Sequence, residues 1–450
     1  MRRRRRPRGV SRGLPGGRTL AAARGRPGGG DAVQTASDDS LRIARDREFA
    51  PWPHAALDVA ALRRAGQRPS PFRQFVLKVH SRCNLDCTYC VIYQGEDASW
   101  RGRPARVSPG VMRETARRIA EHAVGHGLSE VRIDLHGGEP LLSGADTALQ
   151  YTAAVRRALP AGVALRATVQ SNGTLITDRT LDRLADANIR VGLSLDGGTA
   201  HLNARRVDHA GRPSWPAAER AARLLADRPE LYAGILCAID ITSDPGEVYS
   251  SLAALRPPRL DLLLPHANWS SPPPGLPARA PGAWPAVPTP YGDWLAAAFD
   301  LWWDGAPDGS QPRVRLFTEV LALLLGVPST TESIGLSPTC AVVVHTDGSV
   351  EQIDSLNLAY DHATATGLDV FRHAFDEALD HPGIVARQLG PAGLADECRA
   401  CPVGRVCGGG NYGHRYSRGT GFRHPSVFCA DLERLVRHAA GRLSAVMPPD

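Results

Sequence analysis

Six short apolar runs recur along the middle of the chain, and stretches of helical periodicity separate them. The runs are FVLKVHS (75–81), VRIDLHG (131–137), ALRATVQS (164–171), VGLSLDG (191–197), AGILCAID (233–240) and LDLLLPH (260–266). Each has strand length. After the first comes SPGVMRETARRIAEHAV, in which Ser108 is a candidate N-cap and Pro109 suits the first helical position. Met112, Ala116, Ile119 and Ala123 share one face of that helix. Thr177 and Ser214 are candidate caps of two later helices. Strands alternating with helices predict an α/β fold with a parallel sheet, either open and doubly wound or curved into a partial barrel. Sites in both forms lie at the carboxyl ends of the strands. The chemically suggestive stretches collect there: a cysteine triplet after the first strand, GGEP (137–140) after the second, SNG (171–173) after the third, Ser194 and Asp196 at the fourth, and PHANW (265–269) after the sixth.

Composition adjusts this picture in three ways. A chain of 450 residues, 43% of them hydrophobic, buries a sizeable core and is expected to hold two domains. No apolar run is long enough for a membrane span, and the Arg-rich start lacks the apolar stretch of a secretory signal, so a cytoplasmic protein without membrane contact is expected. Residues 1–30 carry ten arginines and no acid, which leaves the rest of the chain slightly acidic despite a formal charge of +7. A basic tail on an acidic body argues against a nucleic-acid-binding protein. The tail reads as disordered by composition.

Thiols stay reduced in the cytoplasm, so nine cysteines read as metal ligands or catalytic groups before disulfides. Cys83, Cys87 and Cys90 form C-x3-C-x2-C on one loop. A structural zinc ion takes four ligands and favours paired C-x2-C units; His80 is a conceivable fourth, but belongs to the preceding strand. Three thiolates suit a 4Fe-4S cluster whose fourth iron is open to a ligand from outside the protein.

CNLDCTYC, with GGEP, SNGTLI and SLDGG following in order, resembles the signature of the radical S-adenosylmethionine (SAM) superfamily. The resemblance implies a partial (β/α)6 TIM-like barrel in which Cys83, Cys87 and Cys90 ligate the cluster and its open iron chelates SAM. It further implies that Gly137 and Gly138 admit the methionyl moiety and that Glu139 accepts from its ammonium group. Asn172 and Ser194 would meet ribose or carboxylate, and Arg206 would pair with the carboxylate. The family pattern has His-Asp before this arginine, where this chain has Asn203 three residues ahead of it.

Further on, CRACPVGRVC and SVFCADL supply Cys398, Cys401, Cys407 and Cys429. Spacing alone fits a zinc knot. Beside a radical SAM barrel the set resembles the SPASM extension, which holds auxiliary iron-sulfur clusters. GLSPTC matches that extension's G-x4-C element at Gly335 and Cys340, but two ligands of the first auxiliary cluster are missing, one of them at Asn411. One complete auxiliary 4Fe-4S cluster is therefore expected, on Cys398, Cys401, Cys407 and Cys429, with Cys340 left as a buried thiol, a partial ligand or a substrate contact. Cys237 reads as core.

PFRQFVLKVHSRCNLDCTYC, LDLLLPHANW, VVVHTDGSVEQIDSLN and the segment from CPVGRVC to SVFCADL resemble the FxsB-like group of radical SAM/SPASM peptide maturases. That resemblance implies a cyclophane-type carbon-carbon crosslink between an aromatic ring and a β carbon two residues on in a ribosomally made precursor peptide. It also implies an external electron donor such as flavodoxin or ferredoxin, and a base to take the ring proton. Asp347 and Asp354 are the candidates, although Asp-Gly at 347–348 also suits a type I′ turn. Other readings are a thioether-forming or sulfatase-type maturase and, more distantly, a zinc-binding interaction protein. The expected organisation is a largely disordered extension over 1–70, a barrel over 71–310 and a cluster-binding extension over 311–450. The proline-rich stretch 271–290 is either a connector or a cover for the barrel mouth, and the hairpin at 341–353 offers an edge for strand addition by a peptide.

Overall fold

The computed structural model describes residues 42–282, 288–305 and 311–447. Its strands are β1 (Gln74–His80), β2 (Glu130–Gly137), β3 (Ala164–Ser171), β4 (Ile189–Ser194), β5 (Tyr232–Ala238), β6 (Arg259–Leu263), β7 (Arg313–Val314), β8 (Ala341–Val344), β9 (Ser349–Glu351) and β10 (Ala365–Asp369). They form one sheet in the order β10-β9-β8-β1-β2-β3-β4-β5-β6-β7. Every pair from β1 to β7 is parallel, and helices return between successive strands through β6. All six predicted strands are present and the fold is the α/β partial barrel.

The alternation along each strand explains the shape. In β1, Phe75, Leu77 and Val79 are fully buried against the helices, whereas Gln74, Val76, Lys78 and His80 occupy the other face. β2 repeats this, with Val131, Ile133 and Leu135 outward and Arg132, Asp134 and His136 inward. Polar residues on the concave face keep the barrel lumen from collapsing into a dry core. Outside it the helix Pro109–Gly125 buries the predicted face of Met112, Ala116, Ile119 and Ala123 together with Val111, and Ser108 caps it by accepting from Val111 N at 3.2 Å. Thr177 likewise caps Asp178–Asp186 through Thr180 N. Ser214 does not cap Trp215–Ala226; its hydroxyl donates to Arg206 O at 2.7 Å and ties the helix start to the loop after β4.

Two features exceed the predicted pattern. β8, from the C-terminal third, adds in parallel to the free side of β1, with Gln74 opposite Ala341 and Leu77 opposite Val344. β9 and β10 then extend the sheet antiparallel. The expected hairpin over 341–353 thus joins the barrel sheet itself. Of the expected disordered extension, residues 1–41 lie outside the described residues, but 42–70 are ordered. Helices cover 42–49, Pro51–His54 and Val59–Arg64. Ala50 and Trp52 are buried with Tyr360, Tyr412, Tyr416 and Phe422, and Phe422 N donates to Trp52 O at 3.0 Å. These partners lie more than 300 residues away in sequence, where local composition cannot reveal them. In the proline-rich stretch, residues 283–287 lie outside the described residues; Pro274 O accepts from Tyr291 Oη at 2.8 Å. No helix among the described residues is long and apolar enough to cross a membrane.

Candidate active site

The loop following β1 carries the three cysteines at the carboxyl end of the sheet, and its neighbours hold it from three sides. Leu85 N donates to Cys83 Sγ at 3.4 Å, and Cys90 N donates to Cys87 O at 3.1 Å. Asn172 Nδ2 donates to Asn84 Oδ1 at 2.9 Å and to Cys83 Sγ at 3.8 Å, while its Oδ1 accepts from Thr174. Asn172 thereby braces the SNG turn against the cysteine loop. His80 Nδ1 accepts from Arg82 N at 3.1 Å and serves the same loop.

The GGEP turn plays a similar internal part. A Cβ on Gly137 would lie 2.1 Å from His80 O, and one on Gly138 would lie 2.0 Å from Tyr93 Oη and 2.4 Å from the Arg82 carbonyl. Both glycines let the turn after β2 pack closely against His80, Arg82 and Tyr93. Gly138→Ala should cost about 1–3 kcal/mol by overpacking. A thermal melt compared with Gly125→Ala, where a Cβ meets nothing within 4 Å, would expose the difference.

Glu139 is fully buried. Its Oε1 accepts from Leu141 N at 3.0 Å and Ser171 Oγ at 2.9 Å, and Oε2 accepts from Asn172 N at 2.8 Å. These bonds make Glu139 a clamp between the turns after β2 and β3. Burial outweighs these donors and raises its pKa to about 7. Between about pH 4.5 and 7 the folded chain thus binds a proton that the unfolded chain releases, so this contribution to stability is present at low pH and lost as pH rises. Glu139→Gln should flatten that part of the melting temperature-pH curve and, through lost acceptors, cost about 1–3 kcal/mol.

On the β4 side, Tyr89 Oη donates to Asp196 Oδ2, Arg206 Nη1 donates to Tyr89 Oη at 2.8 Å, and the same nitrogen stands 3.6 Å from Asp196 Oδ1. Asp196 Oδ1 is buried without a hydrogen-bond partner. Arg206 is the inward member of its pair, whereas Arg205 stacks over the Tyr89 ring at 4.6 Å and pairs with Asp240. Asn203 holds the intervening turn through Asp196 N, Gly197 O and Thr199 O. Ser194 Oγ accepts from Gln170 Nε2 at 3.0 Å inside the lumen.

Of the two candidate bases, Asp347 is a turn residue whose Oδ1 accepts from Ser349 N and Oγ. Asp354 is different. It pairs with Lys78, an almost fully buried lysine from β1. Lys78 and His136 hold its pKa down at about 2 against burial, and its charge reaches Cys90, Tyr93, His266 and His345. Burial keeps His136 and His345 neutral, with pKa values of about 4. A second ion pair, Arg103 with Glu351, stands beside His345. Sequence reading missed Lys78, His136 and His345; the signal was a basic residue inside each of the apolar runs FVLKV, VRIDLHG and AVVVH.

The second cysteine set gathers at the short helix Gly404–Cys407 and the start of Cys429–Ser444. Partial burial pushes the Cys429 thiol up, and Cys407, Cys398 and Cys401 add to this, so the four lie within electrostatic reach. Gly408, Gly409 and Gly410 all take positive φ, and a Cβ on Gly408 would lie 1.7 Å from Gly335 O. Arg415, unmarked in the sequence, donates to Gly408 O at 2.7 Å and Gly410 O at 2.6 Å and puts its charge beside Cys398 and Cys407. Cys340 lies elsewhere. It lines a cavity of about 860 Å³ in the amino-terminal half of the lumen with Arg73, Arg132 and Glu332.

Among the described residues no three of these sulfurs lie mutually within 4.8 Å. Sulfurs around one tetrahedral zinc would sit about 3.8 Å apart. Three thiols on one loop and four in the second set supply the all-sulfur donors that iron-sulfur clusters take. Residues 77–248 match the radical SAM superfamily. They form a radical SAM domain. Such a domain works with a 4Fe-4S cluster and SAM, and the chain is an enzyme. It is 25% identical over 378 residues to a cysteine-type anaerobic sulfatase-maturating enzyme of Clostridium perfringens, spanning 83% of this chain and 97% of that one. A serine-type enzyme of Klebsiella aerogenes is 33% identical over 176 residues, 38% of this chain and 42% of the relative. Among solved structures, anSMEcpe with bound AdoMet superposes with a TM-score of 0.68 at 23% identity, covering 83% of this chain and 99% of that chain. Streptococcus suis SuiB bound to its precursor peptide SuiA superposes with a TM-score of 0.53 at 15% identity, over 82% and 78%. At these identities the two structures speak for the fold.

Proposed function

We propose that this chain is a peptide maturase that joins an aromatic ring carbon to the β carbon of a residue two positions on in a ribosomally made precursor. The observation that carries this reading is Asp354, an ionised carboxylate held by Lys78 within electrostatic reach of Cys90. Cys83, Cys87 and Cys90 would hold the SAM-binding cluster, with Arg206 and Ser194 on the β4 side as contacts to SAM. Cys398, Cys401, Cys407 and Cys429 would hold the auxiliary one. Bound there, these groups supply a radical able to take a hydrogen atom from an unactivated carbon, an acceptor for one electron, and an entry point for reducing equivalents from flavodoxin or ferredoxin.

After the carbon-carbon bond forms, the ring must shed one electron and one proton to regain aromaticity. Asp354 takes the proton. A ring in that state is a strong acid, so a carboxylate with a pKa of about 2 suffices as base. Lys78 keeps it ionised, and its charge reaches His136, His266 and His345. A peptide substrate agrees with the neighbours, since SuiB binds the precursor SuiA and anSMEcpe binds the Cp18Cys peptide. A second reading, oxidation of a cysteine or serine to an aldehyde, is favoured by the relation to a sulfatase-maturating enzyme over 97% of its length. The remote placement of Cys340 weighs against it, because only one auxiliary set is complete.

Anaerobic turnover of the reconstituted enzyme with SAM, dithionite and synthetic peptides separates the readings. A peptide lighter by two hydrogens, inert to hydrazide and crosslinked by fragmentation, is the expected product. A hydrazide-reactive aldehyde would replace the crosslinking reading with the second.

A further inference from the structure

On the outside of the barrel, away from both cysteine sets, three metal-competent side chains converge. His122 lies in the helix Pro109–Gly125 and His126 immediately follows it, four residues apart on one face. Asp376 comes from the short helix Phe375–Ala378. Asp376 Oδ1 stands 2.5 Å from His122 Nδ1 and 3.0 Å from His126 Nε2, and the ligand atoms of all three lie within 4.8 Å of one another. Around them pack the rings of Phe72, Phe75 and Phe375.

Proton bookkeeping at His122 is what makes this more than an ion pair. The ring is 2% exposed and its burial favours the neutral form, which has one N–H for two nitrogens. Nδ1 faces a carboxylate oxygen, while Nε2 is buried without a properly directed partner beside the Phe72 backbone. If the proton sits on Nδ1, a bare Nε2 lone pair is buried next to a carbonyl. If it sits on Nε2, a bare Nδ1 meets the Asp376 carboxylate. A cation at Nδ1 removes the conflict: Nε2–H then turns to the Phe72 carbonyl, the arrangement by which metal-bound histidines are usually oriented.

We propose that His122 Nδ1, His126 Nε2 and the Asp376 carboxylate bind one divalent transition-metal ion, zinc by donor type, with water completing the shell. Bonds of about 2.1 Å in a tetrahedron put neighbouring donors about 3.4 Å apart, a small rotamer adjustment from the present spacing. The ion would pin the helix that follows β1 to the segment that follows β10. It binds through deprotonated nitrogens and oxygen without any change of oxidation state.

The test uses the reconstituted, iron-loaded enzyme, dialysed against chelator and then equilibrated with zinc sulfate. About one zinc ion per chain is expected, with an X-ray absorption edge fitted by nitrogen and oxygen ligands alone. His126→Ala and Asp376→Asn, both at partly exposed positions, should each weaken retention at least roughly tenfold with the iron content unchanged. Zinc retained equally by these variants, zinc held through sulfur, or no retained zinc in the wild type would each overturn the proposal. The wild-type absorption edge decides even if a variant fails to fold.

Discussion

Alanine at Cys83, Cys87 and Cys90 together should abolish formation of 5′-deoxyadenosine from SAM and remove about half of the iron bound after reconstitution. The second cysteine set sits on separate elements, the short helices Asp396–Ala400 and Gly404–Cys407 and the start of the last helix, so its share of iron should remain. Burial raises the pKa of all three loop thiols, that of Cys83 to about 12, and Arg206 offsets part of this at Cys87. Without a cluster they are half-buried protonated thiols, and loading it must displace protons. Iron and sulfide quantitation with a product assay reads both effects. Undiminished 5′-deoxyadenosine in the triple variant would remove the loop from the chemistry. Loss of all iron would mean that the two cysteine sets do not load independently.

Asp354→Asn should uncouple the reaction: 5′-deoxyadenosine still forms, but modified peptide falls by about 10²–10⁴-fold. The variant also strands Lys78, whose side chain is 3% exposed, and breaking a buried pair from one side costs about 3–5 kcal/mol. Adding Lys78→Met separates the two effects, because stability should return while product does not. Asp347→Asn supplies the comparison, since that carboxylate only arranges the turn at Ser349. Equal loss of peptide product in both aspartate variants would point to a disturbed hairpin. No loss in either would move the base elsewhere.

How far the site was legible depends on the range of the interaction. The cysteine loop, GGEP and SNG were visible as motifs, and their placement after β1, β2 and β3 followed from strand-helix alternation. Their individual roles did not follow. Glu139 and Asn172 have the residue types a ligand contact needs, but no motif shows that Glu139 also binds Ser171 Oγ and Asn172 N, or that Asn172 also binds Asn84 and Thr174. A polar side chain's partner depends on which loop lies beside it, and loop adjacency is a property of the packed barrel. Asp354 stood out from Asp347 only once β8 had paired with β1 and carried the 354 turn over Lys78.

The sequence by itself determined the six core strands, the outward helix faces, the two cysteine groups and the absence of a matching set around Cys340. These are short-range patterns, written in periods of two or 3.6 residues and in spacings within one loop. Tertiary structure alone decided that Ala50 and Trp52 pack on the aromatic residues near 360 and 416, that β8 to β10 extend the barrel sheet, and that Cys340 faces a cavity at the far end of the lumen. It also decided which charges are buried together: Lys78 with Asp354, Arg103 with Glu351, His122 with Asp376. Each of those pairs joins residues more than 200 positions apart. Their energies come from desolvation and proximity that exist only after the chain has closed on itself.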